Sequence, residues 1–342
     1  MFIQTPVAAH DPVTLRLAVY AAPLSRDGPA LLLRDILSGE PQVVAAAQVI
    51  TNTAPDILLL TNFDYDANNS ALLAFQKMLA DDGLEFLYHS ASPPNSAFHT
   101  KLDLNADGRN HSREDRQGYG RFAGDGGIAL LSRYPIDVEN IVSFNNLLWR
   151  DLPDATLPSN MSDHARDTQR FSSTAHLAIP VSLPRGNTLT LLAYSATPPV
   201  FDDEHDRNGL RNASESTFWI QWLGGVFGQP QPPFAILGNA NIAPDRGDGR
   251  REAIRRLLDH PLLQDPAPVS SGGAAARQGG ATDTVDWPEP SPGNMRTTYL
   301  LPERSISVAA KGVVWPDADH PLRAAVDQAG PHRLVWADIV IP

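Results

Sequence analysis

Three stretches carry residue types whose spacing can do chemistry. Asp103-Leu-Asn105-Ala-Asp107-Gly108 followed by Glu114 fits the D-x-[DN]-x-[DN]-G-x5-E spacing of a calcium loop. Asp103, Asn105 and Asp107 converge on one ion, Gly108 makes the sharp turn, Arg109 lends a backbone carbonyl and Glu114 closes the shell with two oxygens. Asn110 stands where an aliphatic residue is usual, and no clear helices flank the loop. The competing reading is an acidic, glycine-containing turn. The expectation is a structural calcium that pins the surrounding loop.

The second stretch, Asp206-Arg207-Asn208-Gly-Leu-Arg211-Asn212, packs two arginines among amides and a carboxylate. Arginine binds phosphate or carboxylate through two parallel N–H groups, so this is a candidate ligand surface. It can equally be a solvated loop held by Asx-type hydrogen bonds. The third is Phe234-Ala-Ile-Leu237 running into Gly238-Asn239-Ala240-Asn241, a buried strand ending in a tight polar turn. Two histidines are candidates to join a site: His332, able to polarise a ligand oxygen or simply to cap the last strand, and His176, within an otherwise apolar run.

These residues must be positioned by a frame. Strand-like runs cover Leu15–Ala21, Asp56–Thr61, Gly127–Leu131, Ser173–Val181, Thr188–Tyr194, Phe234–Leu237, Thr297–Leu301 and Arg333–Val340. Helical spacing appears in Val43–Ala54, Ser70–Leu79, Glu215–Phe227 and Arg250–Leu258. Many strands alternate apolar with polar residues, which predicts a mixed sheet system with outer helices rather than a simple parallel sheet. No internal repeat or linker divides the chain, so one domain over 1–342 is expected. Two long loops, 93–124 and 266–293, are candidates for function.

Composition narrows the classes. The chain has 342 residues and a formal net charge of -12, with Lys77, Lys101 and Lys311 its only lysines. That balance argues against a protein that grips nucleic acid. With no cysteine, disulfides, thiolate metal sites and cysteine nucleophiles are excluded. No apolar run approaches membrane-spanning length, and MFIQTPVAAHDPVTLRL lacks the basic and apolar regions of a signal peptide. The chain reads as soluble, either cytoplasmic or the mature form of a periplasmic or secreted protein.

Seven segments, taken in order, resemble the endonuclease/exonuclease/phosphatase superfamily, and within it a bacterial, often secreted branch. They are PDILLLTNFDYD (55–66), LDLNADG (102–108), GYGRFAGDGGIALLSRYPI (118–136), TPPVFDDEHDRNGLRN (197–212), ILGNANIAPDRGDG (236–249), NMRTTYLLP (294–302) and HRLVWADI (332–339). The resemblance implies a DNase I-like α/β fold: a four-layer sandwich of two mixed β-sheets flanked by helices, with the site on loops at one end. It also implies magnesium-dependent attack of water on a phosphoester, using acidic metal ligands and a His–Asp pair.

Measured against that pattern, the chemistry has been removed. Ala21 stands where the family has Asn, Asn62 where it has the metal-binding Glu, and Ser195 where it has a catalytic His. Asn239 replaces the Asp of Gly-Asp-x-Asn, Thr298 replaces an Asp, and Pro331 replaces the Asp of the closing Ser-Asp-His. Only Asn241 and His332 keep the family residue. Amides carry no charge to neutralise magnesium and cannot act as general bases near neutral pH. Three readings follow. The chain is a degenerate member without a catalytic magnesium that binds a small phosphorylated or sugar-like ligand. Alternatively it is a phosphodiesterase or phosphatase with a rearranged site using acids such as Asp64, Asp66, Asp202, Asp203 or Asp245. The third is an enzyme of different chemistry in the old cleft.

Overall fold

In the computed structural model, residues 12–104, 107–202, 204–228 and 231–341 are described. Asn105 and Asp203 lie outside them. The strands are β1 (Val13–Tyr20), β2 (Ile57–Phe63), β3 (Tyr88–Ala91), β4 (Gly127–Ser132), β5 (Val142–Ser143), β6 (Ala175–Ser182), β7 (Thr188–Ser195), β8 (Phe234–Asn239), β9 (Thr298–Pro302), β10 (Ser307–Val313) and β11 (Val335–Ile341). The helices are α1 (Leu31–Ser38), α2 (Pro41–Thr53), α3 (Ser70–Asp81), α4 (Asp163–Arg166), α5 (Arg207–Leu223), α6 (Glu252–Leu258), α7 (Ser271–Ala275) and α8 (Arg323–Ala329).

The strands form two sheets, ordered β10-β11-β1-β2-β4-β3 and β5-β6-β7-β8-β9. Pairs β1–β2 and β7–β8 are parallel and the other pairs antiparallel, so both sheets are mixed, as expected. Alternation along each strand explains the layering, because successive side chains point to opposite faces. Leu15, Leu17 and Val19 of β1 meet Leu189, Leu191 and Ala193 of β7 in a core between the sheets. Ala18 and Tyr20 point the other way, into a core with α1, α2, α3 and α8. Leu192 and Tyr194 do the same on the second sheet, under Phe218, Trp219 and Trp222 of α5 and Ile254 and Leu257 of α6. The result is helix, sheet, sheet, helix.

Three strands escape the sequence reading: β3, β5 and β10. All three are edge strands, and most of their residues are partly or fully exposed. Strands that bury neither face carry no apolar alternation to detect. Helix α5 begins at Arg207, not near Glu215, so the 206–212 cluster is the cap and first turns of a helix rather than a loop. The loop 266–293 contains the short helix α7. No helix among the described residues is long and apolar enough to cross a membrane.

Candidate functional site at one end of the sandwich

Register places the candidate positions at a common end. Ser195 pairs with Asn239, and Asn239 with Thr298, so the three lie in one row across β7, β8 and β9. Their parity follows Ala193, Leu237 and Leu300, so they continue the face between the sheets. The first sheet is brought to the same end by the 284–286 segment. Thr284 Oγ1 accepts the N–H groups of Thr297 and Thr298 at 2.9 and 3.0 Å. Its carbonyl accepts Arg333 N–H, Val285 bridges His332, and Asp286 N–H donates to Pro331 O. The start of β9 therefore lies beside the start of β11. Because β11 is antiparallel to β1 and β1 parallel to β2, the ends carrying Ala21 and Asn62 are there too.

Within this end the residues interlock. Asn239 Nδ2 donates to Asn241 Oδ1 at 3.1 Å, and Asn241 Nδ2 donates to Ala196 O at 2.8 Å. Asn241 sits at φ 53, a left-handed conformation that asparagine tolerates. A carboxylate at 239 has no hydrogen to give Asn241 Oδ1. The neutral amide is thus part of the turn's own hydrogen bonding. Asn62 lies where the β2–β4 register shifts between Leu60 and Phe63. Its Oδ1 would lie only 2.9 Å from a Cβ at Gly126, and Gly126 is also at φ 60, so this position requires glycine. Ala21 is buried, and Thr298 Oγ1 is buried without a partner among the described residues.

His332 is partly exposed, but its Nδ1 is buried and unpartnered among the described residues. Burial, with the Arg333 charge beside it, pushes its pKa down to about 4, so the ring is neutral at pH 7. Trp287 stands perpendicular to it, centroids 5.8 Å apart, and packs against Ala243, Val285 and Met295. Trp287 was not singled out in the sequence. Its only signal there is a large aromatic in a long polar loop.

The nearby acids are occupied. Asp64 is buried, and its two oxygens accept the N–H groups of Arg26 and Gly126 at 2.8 and 3.0 Å. Asp66 caps α3 by accepting from Ser70 and Ala71. Asp202 accepts from Asn208 N–H, and Asp245 pairs with Arg246. Among the described residues no three His, Asp or Glu side chains are grouped to hold a metal ion.

His176 is on the opposite face of its sheet. It is fully buried against Phe171, Phe218 and Trp219; its Nδ1 meets Ser172 Oγ at 2.8 Å and its Nε2 meets Glu215 O at 3.1 Å. Burial takes its pKa down to about 3. Arg211 and Asn212 face inward as well. Arg211 donates to the carbonyls of Arg170, Phe171 and Ser172, and Asn212 Nδ2 to those of Thr197 and Ala240. Arg207 reaches Glu114 O and Gln169 Oε1, Asn208 donates to Val200 O, and Asp206 pairs with Arg250. Their polar atoms tie α5 to the loops around it.

A residue missed by the sequence reading governs this network. Glu215 is buried in the middle of α5, where it accepts from Ser173 N–H, Ser173 Oγ–H and Thr197 N–H at 2.5 to 2.7 Å. Desolvation raises its pKa, opposed by the Arg211 charge and these donors. In the 103–114 loop, Asp103 accepts from Asp107 and Gly108 N–H, and Asp107 accepts from Arg109 N–H, while Glu114 is exposed. The buried acid there is Asp115, which accepts from Leu104 N–H and from the Ser112 N–H and hydroxyl.

A two-sheet sandwich with its polar residues gathered at one end defines the fold class. The family model described as "Endonuclease/Exonuclease/phosphatase family" matches residues 30–320, and the chain belongs to that family. No curated protein sequence matches it. Similar solved structures include an endonuclease/exonuclease/phosphatase from Beutenbergia cavernae (TM-score 0.56, 15% identity, 96% of this chain and 72% of that one). The human nocturnin catalytic domain with bound sulfate aligns at TM-score 0.54 and 14% identity, covering 98% and 95%. A mannosyl-6-phosphatase from Bacteroides thetaiotaomicron aligns at TM-score 0.50 and 16% identity, covering 96% and 100%. At such identities the likeness concerns the fold.

Proposed function

We propose that this chain keeps the family's fold without its metal-dependent phosphoester hydrolysis, and that it binds a small phosphorylated or sugar-like ligand at the sandwich end. The observation that carries this reading is the Asn239–Asn241–Ala196 hydrogen-bond chain, which uses an amide hydrogen where the family pattern has a carboxylate. The residues there do not fit a catalytic magnesium. The donors are amides and hydroxyls, and Asp64 and Asp66 are committed to backbone N–H groups. Magnesium favours carboxylate oxygens in octahedral geometry. His332, neutral and without a carboxylate partner, lacks the orienting group of a His–Asp pair. The net charge of -12 disfavours a nucleic-acid partner. The 103–114 loop is proposed to hold a structural calcium through Asp103, Asn105, Asp107, the Arg109 carbonyl and Glu114.

The test is hydrolysis of a chromogenic phosphodiester and phosphomonoester with magnesium, manganese or calcium present. The expected rate matches a buffer blank, and His332→Ala changes nothing. Metal-dependent turnover that disappears in His332→Ala overturns the proposal in favour of a rearranged hydrolase site.

A further inference from the structure

The partly exposed groups at the sandwich end include the Asn62 and Asn241 amides, the neutral His332 ring and the Trp287 indole, with the Asp286 carboxylate beside them paired to Arg333. Ser195 and Asn239 form the floor behind them. The two amides, the imidazole and the indole carry no charge at pH 7, and the Asp286 charge is met by the Arg333 guanidinium. Trp287 packs on the Ala243–Val285–Met295 cluster, two residues along the chain from Asn241, and stands perpendicular to His332. The aromatic surface is therefore held beside the His332 ring by its packing on that cluster.

We propose that this end binds a neutral sugar ring, its C–H face against Trp287 and its hydroxyls on the amides of Asn62 and Asn241 and the His332 ring. The proposal rests on the absence of phosphoester chemistry argued above, and names the ligand class for the same site. An amide offers donors and an acceptor, which matches hydroxyls that also do both; Asn241 keeps one N–H and one oxygen lone pair beside its bonds to Ala196 O and Asn239 Nδ2. A phosphate finds no free cation among these groups, since the neighbouring Arg333 guanidinium is bound to Asp286, Gly330 O and Val326 O. An indole buries a large apolar face while keeping one polar edge, as the two-sided character of a pyranose demands.

The experiment is calorimetric and saturation-transfer titration of the full chain with the methyl glycosides of glucose, mannose and galactose, and with glucose 6-phosphate plus magnesium. At least one neutral glycoside should bind, weakened about tenfold by Trp287→Ala and by Asn241→Ala, and largely retained in Trp287→Phe. Thermal melts identify any variant that fails to fold; Trp287→Phe and Asn241→Ala then still decide the case. No glycoside binding up to about 10 mM overturns the proposal. So does binding indifferent to both Trp287→Ala and Asn241→Ala, or tighter, magnesium-dependent binding of glucose 6-phosphate. If the hydrolysis assay is blank and no glycoside binds, the sugar assignment alone fails. Metal-dependent hydrolysis removes the reading beneath it.

Discussion

Asp64 holds Gly126 by a 3.0 Å hydrogen bond from the glycine N–H, and the same carboxylate takes Arg26 N–H on its other oxygen. This one buried acid ties the loop after β1 and the loop before β4 to the end of β2, next to Asn62. Desolvation raises its pKa from 3.8 to about 6, against the pull of Gly126, Ser25 and Arg26 and with help from the Asp125 charge. The folded state therefore holds the proton more tightly than the unfolded chain. The group's contribution is fully present below about pH 4 and is lost as pH rises to about 6, by up to about 3 kcal/mol. Denaturant unfolding at several pH values should show the wild type losing more stability over this window than Asp64→Asn. Parallel profiles for the two proteins would contradict the assignment.

Glu215→Ala should be among the most destabilising single changes in α5. It strands the buried Ser173 N–H and hydroxyl and the part-buried Thr197 N–H, and leaves the buried Arg211 without the nearby negative charge. A loss of about 3–5 kcal/mol is expected in equilibrium unfolding, with a smaller loss for Glu215→Gln, which keeps one acceptor. A cost below about 1 kcal/mol would mean that the network is not formed in solution.

If the 103–114 loop binds calcium only when folded, the ion raises stability by mass action. Chelator should lower the melting temperature of the wild type, and Asp103→Ala should erase the difference between chelated and calcium-loaded samples. Identical melts of the wild type with calcium and with excess chelator rule the site out.

Introducing acids probes the proposed loss of the metal site from the other side. Asn62→Glu, Asn239→Asp and Pro331→Asp together should create magnesium binding measurable by calorimetry where the wild type shows none, because carboxylates supply the missing charge. The Asn239→Asp change also removes the hydrogen given to Asn241 Oδ1, so Asn241 should lose its fixed orientation. A triple variant that folds yet binds no magnesium would show that the backbone positions, and not only the side chains, have departed from a metal site.

The sequence by itself determined the family and the two mixed sheets. Alternation in the buried strands and the flanking anchors of Gly238-Asn239-Ala240-Asn241 are local features that need no third dimension. It could not show β3, β5 and β10, whose residues bury too little to leave a pattern. Nor could it say which way a polar side chain faces. His176 and Ser195 lie on neighbouring, paired strands, yet parity sends one under α5 and the other to the end between the sheets. Arg211 and Asn212 read as a polar surface, and Glu215 as an ordinary helix residue, until α5 turns them against carbonyls and N–H groups far away in the chain. Trp287 joins His332 only because Val285 pairs with it across the start of β11. Each of these depends on contacts between residues distant in sequence, and desolvation acts on a side chain only once such contacts have closed around it.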